Sequence, residues 1–222
     1  MLRPFFSYYG SKWRAGGRVP QPAHGLIVEP FAGSAGYSLR YPHKQVILYD
    51  ADPVIAGIWD YIIRSSSADV LALPDLPPDG NVEDLKVCQE ARNLIGYWLN
   101  KGVAKPCYTW SKWARNPAFA TTCNFWGPGI RQRIASQQPA VRHWWIVCDS
   151  YQAAPDIAAC WYVDPPYEEA GYCYAKSSKA IDFQALGAWC KGRQGQVIVC
   201  EQQGAEWLPF QPPGALRSTR GT

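Results

Sequence analysis

The sequence predicts an α/β protein built on a mainly parallel sheet. Three observations carry that expectation. Short apolar runs of strand length alternate with segments of helical periodicity, the pattern of parallel strands joined by right-handed crossovers. Three of the runs end in an acidic residue, at Glu29, Asp50 and Asp164, and ligands of such sheets bind at the carboxyl ends of the strands. The composition is that of a globular chain: 222 residues, 47% apolar, 18% charged, with a net charge of +4.

The elements follow in order. Residues 25–31 read as a buried strand that runs into the small-residue turn Ala32-Gly33-Ser34-Ala35-Gly36, after which Tyr37 opens a helix. Residues 45–50 are a second strand. Asp50-Ala51-Asp52 turns the chain, and Pro53 suits the first position of a helix reaching Arg64, with Val54, Ile55, Ile58, Trp59 and Ile62 on its buried face. Residues 65–83 are rich in Ser, Pro and Asp and read as a loop. Asp84 is placed to cap a helix to Asn100 that Gly102 ends. Residues 103–128 read as irregular and 130–137 as a short helix. Strands follow at 144–149 and 160–164, a helix at 181–191 and a fifth strand at 196–201. Residues 143–149, Trp145 included, are expected in the core.

Composition and charge exclude several classes. The chain is too apolar for a disordered protein. No apolar run approaches the roughly 20 residues of a membrane span. The first residues lack the pattern of a secretion signal, so a cytoplasmic location is expected. None of the eight cysteines is paired at C-x-x-C spacing, so no metal site is expected; reduced, buried thiols are. The charge is uneven. From Lys86 to His143 nine positive residues stand against the single acid Glu90, a local charge of +8 that leaves −4 for the rest. Tyr108, Trp110, Trp113, Phe119, Phe125 and Trp126 are interleaved with these bases. That mixture suits phosphate contact and base stacking, and it suits equally a solvated basic face over an aromatic core.

Two motifs carry chemistry. The turn Glu29-Pro30-Phe31-Ala32-Gly33-Ser34-Ala35-Gly36 places glycines where backbone approaches a ligand closely. It lacks the spacing of a dinucleotide or triphosphate loop. With Asp50 in the position that accepts ribose hydroxyls, it favours a nucleoside without a required pyrophosphate. The second motif is Asp164-Pro165-Pro166-Tyr167. Two prolines fix φ at successive residues and hold Asp164 extended. The rigid turn presents a carboxylate, a proline carbonyl and an aromatic face, a set that suits a planar base bearing an amine; a purely structural Pro-Pro turn is the other reading.

Phe5-Phe6-Ser7-Tyr8-Tyr9-Gly10-Ser11-Lys12, E-P-F-A-G-S-A-G, Y-D-A-D-P and D-P-P-Y, in that order, resemble the motifs of the Dam-like (D12 class) DNA adenine-N6 methyltransferases, and Val197-Ile198-Val199-Cys200-Glu201 with Trp207-Leu208-Pro209-Phe210 resemble phage-encoded members. The resemblance covers nearly the whole chain. It implies a Rossmann-like, S-adenosylmethionine-dependent methyltransferase fold, with residues 1–65 and 144–222 as catalytic domain and 66–143 as an inserted target-recognition region. It implies cofactor binding by Tyr8, Gly10, Lys12, Glu29, Pro30, Phe31, Gly33, Gly36, Asp50 and Asp164, with Lys12 contacting the methionine carboxylate. Asp164, Pro165, Pro166 and Tyr167 become the catalytic residues, and Lys101, Lys105, Lys112, Arg115, Arg131, Arg133 and Arg142 the contacts to double-stranded DNA. Such enzymes act alone or beside a separate restriction endonuclease. Methylation of cytosine N4, and a DNA-binding relative impaired in catalysis, are the alternatives. After the fifth strand the sequence leaves little room for the further strands of relatives.

Overall fold

A computed structural model describes residues 1–115, 125–169, 171, 174 and 177–210. Phe119, Cys123, Cys173 and the residues after Phe210 lie outside the described residues. Five strands form one sheet: β1 Leu26–Glu29, β2 Gln45–Tyr49, β3 Trp145–Val147, β4 Ala159–Val163 and β5 Gly195–Val199. Their order is β3-β2-β1-β4-β5 and every pairing is parallel. The α/β architecture with a parallel sheet is thus as expected, and all five strands fall where the sequence places them.

Alternation along the strands makes two cores. Ile27, Val46, Leu48, Cys160 and Tyr162 face one side, where they meet Phe5, Phe6 and the Ile55, Ile58, Trp59 and Ile62 stripe of helix α1, Pro53–Arg64. Val28, Tyr49, Trp161 and Val163 face the other, against Leu186 and Cys190 of helix α5, Phe183–Lys191, and against Trp207. Each large apolar side chain buried this way contributes on the order of 1.5–3 kcal/mol. Asp52 caps α1 by accepting from Val54 N–H at 2.9 Å, and Asp182 caps α5 by accepting from Ala185 N–H at 2.9 Å.

The chain between α1 and β3 is a single long crossover, and it shares the first core: Leu94, Ile95, Ile130 and Ile134 pack in the same cluster as Ile27 and Leu48. Three details differ from expectation. The loop at 65–83 contains helix α2, Ser67–Leu71, closed by a capping box between Ser66 and Asp69; the Ser-x-x-Asp spacing was the signal. Helix α3 is Gln89–Gly96, shorter than expected. Asp84 belongs to a preceding 3-10 turn that Asn81 caps. The helix stops because the returning chain packs on Gly96: a Cβ there would lie 2.7 Å from the Cys107 carbonyl oxygen, and the Gly96 carbonyl accepts from Cys107 N–H. Helix α4, Pro128–Gln137, starts with its proline at the first turn and is tied to α2 by Ser67 Oγ donating to the Ala135 carbonyl.

Strand β3 is a sheet edge, and the expectation of a core position for Trp145 is corrected: its ring is 69% exposed. Alternation explains it. Trp144 and Ile146 point to the first core, while Trp145 and Val147 stand on the opposite face, beyond the reach of α5. The cysteines also divide: Cys160 and Cys190 are buried, but Cys88 and Cys148 are exposed.

Candidate active site

The ends of β2, β1 and β4 lie side by side, and each carries its acid. Glu29 is only 1% exposed and accepts from the Ser38 amide at 2.7 Å. Burial pushes its carboxyl up to about 8 despite that hydrogen bond. It therefore braces the turn from inside. Asp50 does the same from β2: Oδ2 accepts from Gly33 N–H and Oδ1 from Asp52 N–H, both at 2.9 Å. Burial raises the Asp50 carboxyl to about 6 against those two amides. Each of its oxygens keeps a second lone pair.

The glycines of the turn also admit another part of the chain. Gly33 has φ +45°, and a Cβ there would touch the Tyr8 ring at 3.0 Å. At Gly36 a Cβ would lie 2.7 Å from the Trp13 amide nitrogen. The close approach they permit is that of the N-terminal segment, which lies across the turn. Ser34 Oγ donates to Ser11 Oγ at 2.8 Å, and the Trp59 indole N–H donates to the Gly33 carbonyl at 2.8 Å. Pro30 is buried. Phe31 stacks on Tyr151 at 5.5 Å, on the second core.

The N-terminal segment reaches β4. Lys12 Nζ donates to the Gly10 carbonyl at 3.1 Å and lies 3.0 Å from Asp164 Oδ1. The same ammonium sits 4.6 Å above the centre of the Tyr167 ring. The Lys12 and Asp164 side chains are 19% and 17% exposed. Burial works against the Lys12 charge, but Asp164 and Tyr167 outweigh it and hold the ammonium above the usual lysine range. Burial raises the Asp164 carboxyl in spite of Lys12. Asp164 Oδ1 is buried and has the ion pair but no hydrogen bond. Beyond Pro165 and Pro166 the chain doubles back on itself: a Cβ at Gly171 would lie 2.7 Å from Pro166.

Two contributions were not foreseen. Tyr8 lies between the rings of Tyr97, at 5.8 Å, and Tyr174, at 5.9 Å, so the N-terminal segment is walled by aromatics from α3's end and from the segment after Tyr167. Glu201, just past β5, accepts from the Glu168 amide and the Trp207 indole N–H and lines a recess of about 80 Å³ with Glu168, Glu169 and Gln202. Its signal was present: like Asp149 after β3, it is an acid that follows a strand. The larger recess, about 450 Å³, lies on the outer side of α1 among Asp60, Tyr61, Arg64 and Glu90, away from the strand ends. It is a wide, shallow surface crossed by the Arg64–Asp60 ion pair, and the carboxyl-end residues define the site better than volume does.

The basic residues separate into distinct roles. Arg131 is paired with Asp75 at 2.6 Å and donates to the Leu73 carbonyl at 2.9 Å. The Arg133 guanidinium lies 4.8 Å over the Trp98 ring and donates to the Pro4 carbonyl. Lys101 is held over Trp113 and Phe125. Lys105, Lys112, Arg115 and Arg142 are exposed. Arg142 lies three residues before β3, at the amino end of the sheet and opposite the site. The crossover meets the site through backbone: Tyr9 N–H donates to the Val103 carbonyl at 3.1 Å, and Gly102 N–H to Ser7 Oγ at 3.0 Å.

Among the described residues no cluster of three or more His, Cys, Asp or Glu is placed to hold a metal, and no helix is long and apolar enough to cross a membrane. No protein-family model matches this chain, and no curated protein matches it.

Proposed function

We propose that this chain is a DNA adenine-N6 methyltransferase that moves a methyl group from S-adenosylmethionine to an adenine turned out of double-stranded DNA. One observation carries the reading: the Pro30–Gly36 turn and the Asp164–Tyr167 turn end β1 and β4, which are neighbours in a parallel sheet, with Asp50 on β2 at the other flank. Two strand spacings, roughly 10 Å, separate the strands of Asp50 and Asp164. That leaves room for a ribose at Asp50 and a reacting centre near Asp164 over the same turn.

The residues present fit the cofactor. Asp50 keeps lone pairs for ribose hydroxyls, Tyr8 offers a ring beside Gly33, and Lys12 offers an ammonium for a carboxylate. Asp164 Oδ1 is buried with the Lys12 ammonium 3.0 Å away as its close partner, and the amine of a base would use this acceptor in place of Lys12. S-adenosylmethionine supplies, when bound, an electrophilic methyl group on a sulfonium.

The exocyclic amine of adenine is a weak nucleophile because its lone pair is delocalised into the ring. Asp164 and the Pro165 carbonyl accept its two N–H bonds and favour a pyramidal nitrogen. Pro165 has no N–H to compete. The carboxylate also stabilises the positive charge that develops on nitrogen, an electrostatic contribution set in place before the reaction. Its raised proton affinity, a result of burial, equips it to hold the proton the amine then releases. Tyr167 stacks on the base. The base has to leave the duplex, at a cost of a few kcal/mol, and the exposed Lys105, Lys112 and Arg115 hold the backbone while it does.

The test is transfer from methyl-labelled S-adenosylmethionine to unmethylated bacterial DNA, followed by nucleoside analysis. The expected product is N6-methyladenine. Label in N4-methylcytosine overturns the base assignment. Cofactor binding without label identifies a DNA-binding relative that has lost catalysis.

A further inference from the structure

Lys12 stands where the acceptor amine has to stand. Its Nζ is 3.0 Å from Asp164 Oδ1 and 4.6 Å above the Tyr167 ring centre. These are the carboxylate and the aromatic face that the proposed reaction assigns to the base. Both ions are largely buried, and an ammonium in such a place holds its charge only beside a carboxylate. Lys12 therefore leaves Asp164 only when something else satisfies its charge. The methyltransfer reading says what that is. A ribose on Asp50 directs the rest of the ligand across β1 toward β4, over the turn where Ser34 Oγ meets Ser11 Oγ at 2.8 Å. An amino-acid tail on that nucleoside brings a carboxylate to the residue after Ser11. Leaving Asp164 also means leaving the Gly10 carbonyl, to which Lys12 Nζ donates at 3.1 Å.

We infer that Lys12 is an exchangeable ammonium: it closes Asp164 to the acceptor amine until a nucleoside bearing a carboxylate draws it away. The inference rests on the methyltransfer reading and adds an order of binding to it, cofactor before acceptor. While Lys12 is in place its protonated nitrogen has no lone pair, so it fills the acceptor position without taking a methyl group.

The test follows the Lys12 ammonium by NMR in the full chain with 15N-labelled lysine, its signal identified by loss in Lys12→Met. In the free protein Asp164→Asn is expected to shift that signal. S-adenosylhomocysteine is expected to shift it in the native chain, and in that complex Asp164→Asn no longer has an effect. 5′-Methylthioadenosine, which has the nucleoside but no carboxylate, leaves Lys12 on Asp164. If S-adenosylhomocysteine binds by calorimetry and the signal stays put, or if 5′-methylthioadenosine shifts it equally, the exchange is overturned and the methyltransfer reading stands. If S-adenosylhomocysteine does not bind the folded protein, the functional reading fails and the exchange with it.

Discussion

The carboxyl ends of the strands and the crossover of residues 66–143 use charge in opposite ways. At the strand ends four acids are drawn inward. Glu29, Asp50 and Glu201 each accept backbone N–H groups, and Asp164 holds Lys12. Within the crossover, the stretch from Lys86 to His143 carries a formal charge of +8, and that charge divides between the interior and the surface. Arg131 and Arg133 close structural contacts with Asp75, Trp98 and two carbonyl groups. Lys105, Lys112 and Arg115 remain in solvent. A motif residue acts on neighbours a few positions away, whereas a basic residue acts on whichever distant surface the fold brings to it. Counting charge therefore overstates the positive charge that reaches the surface.

The sharpest break of that comparison is Asp164→Ala. It is expected to lower methyl transfer by at least about 10²–10³-fold, the scale of losing one preorganised electrostatic group, while DNA affinity, which comes mostly from phosphate contacts, changes little. Single-turnover assays beside filter binding measure both. A variant that loses DNA affinity and keeps its transfer rate would move the chemistry out of this turn.

Glu29 gives the next effect, and its sign is fixed by linkage. The folded-state carboxyl is raised to about 8, above its unfolded value of roughly 4.3. Between those values the native state binds more protons than the unfolded one. The contribution is full below the unfolded value and is lost as pH rises through about 8. Stability is expected to fall by about 1 kcal/mol per pH unit across that window. Glu29→Gln keeps an oxygen for the Ser38 amide and removes the slope. Urea unfolding at several pH values measures it, and an unchanged slope would place Glu29 in contact with water.

Much of this was legible in the sequence because it is local. Pro53 after Asp52 marks the start of α1, and each strand-end acid declares itself by position. The turn glycines show the limit. Their conformational demand was readable, yet the surface they admit belongs to Tyr8 and Trp13, more than twenty residues earlier in the chain. Trp145 failed for a related reason. Its neighbours are apolar, but only the strand order reveals that β3 is an edge. The partner of Lys12 was equally hidden, since Asp164 lies at the far end of the chain.

The smallest effect tests the division of the bases directly. Arg133→Ala removes a guanidinium packed on Trp98 and a hydrogen bond to Pro4, and is expected to cost about 2 kcal/mol of stability with no change in the salt dependence of DNA binding. Replacing Lys105, Lys112 and Arg115 together by Ala should leave stability within about 0.5 kcal/mol per site and reduce the salt slope by about one for each residue that touches a phosphate. Paired denaturation and salt-titration curves separate the two. If Arg133→Ala lowers the slope as the surface triple does, then its contact with Trp98 gives way when DNA binds, and the interior and surface bases form one interface.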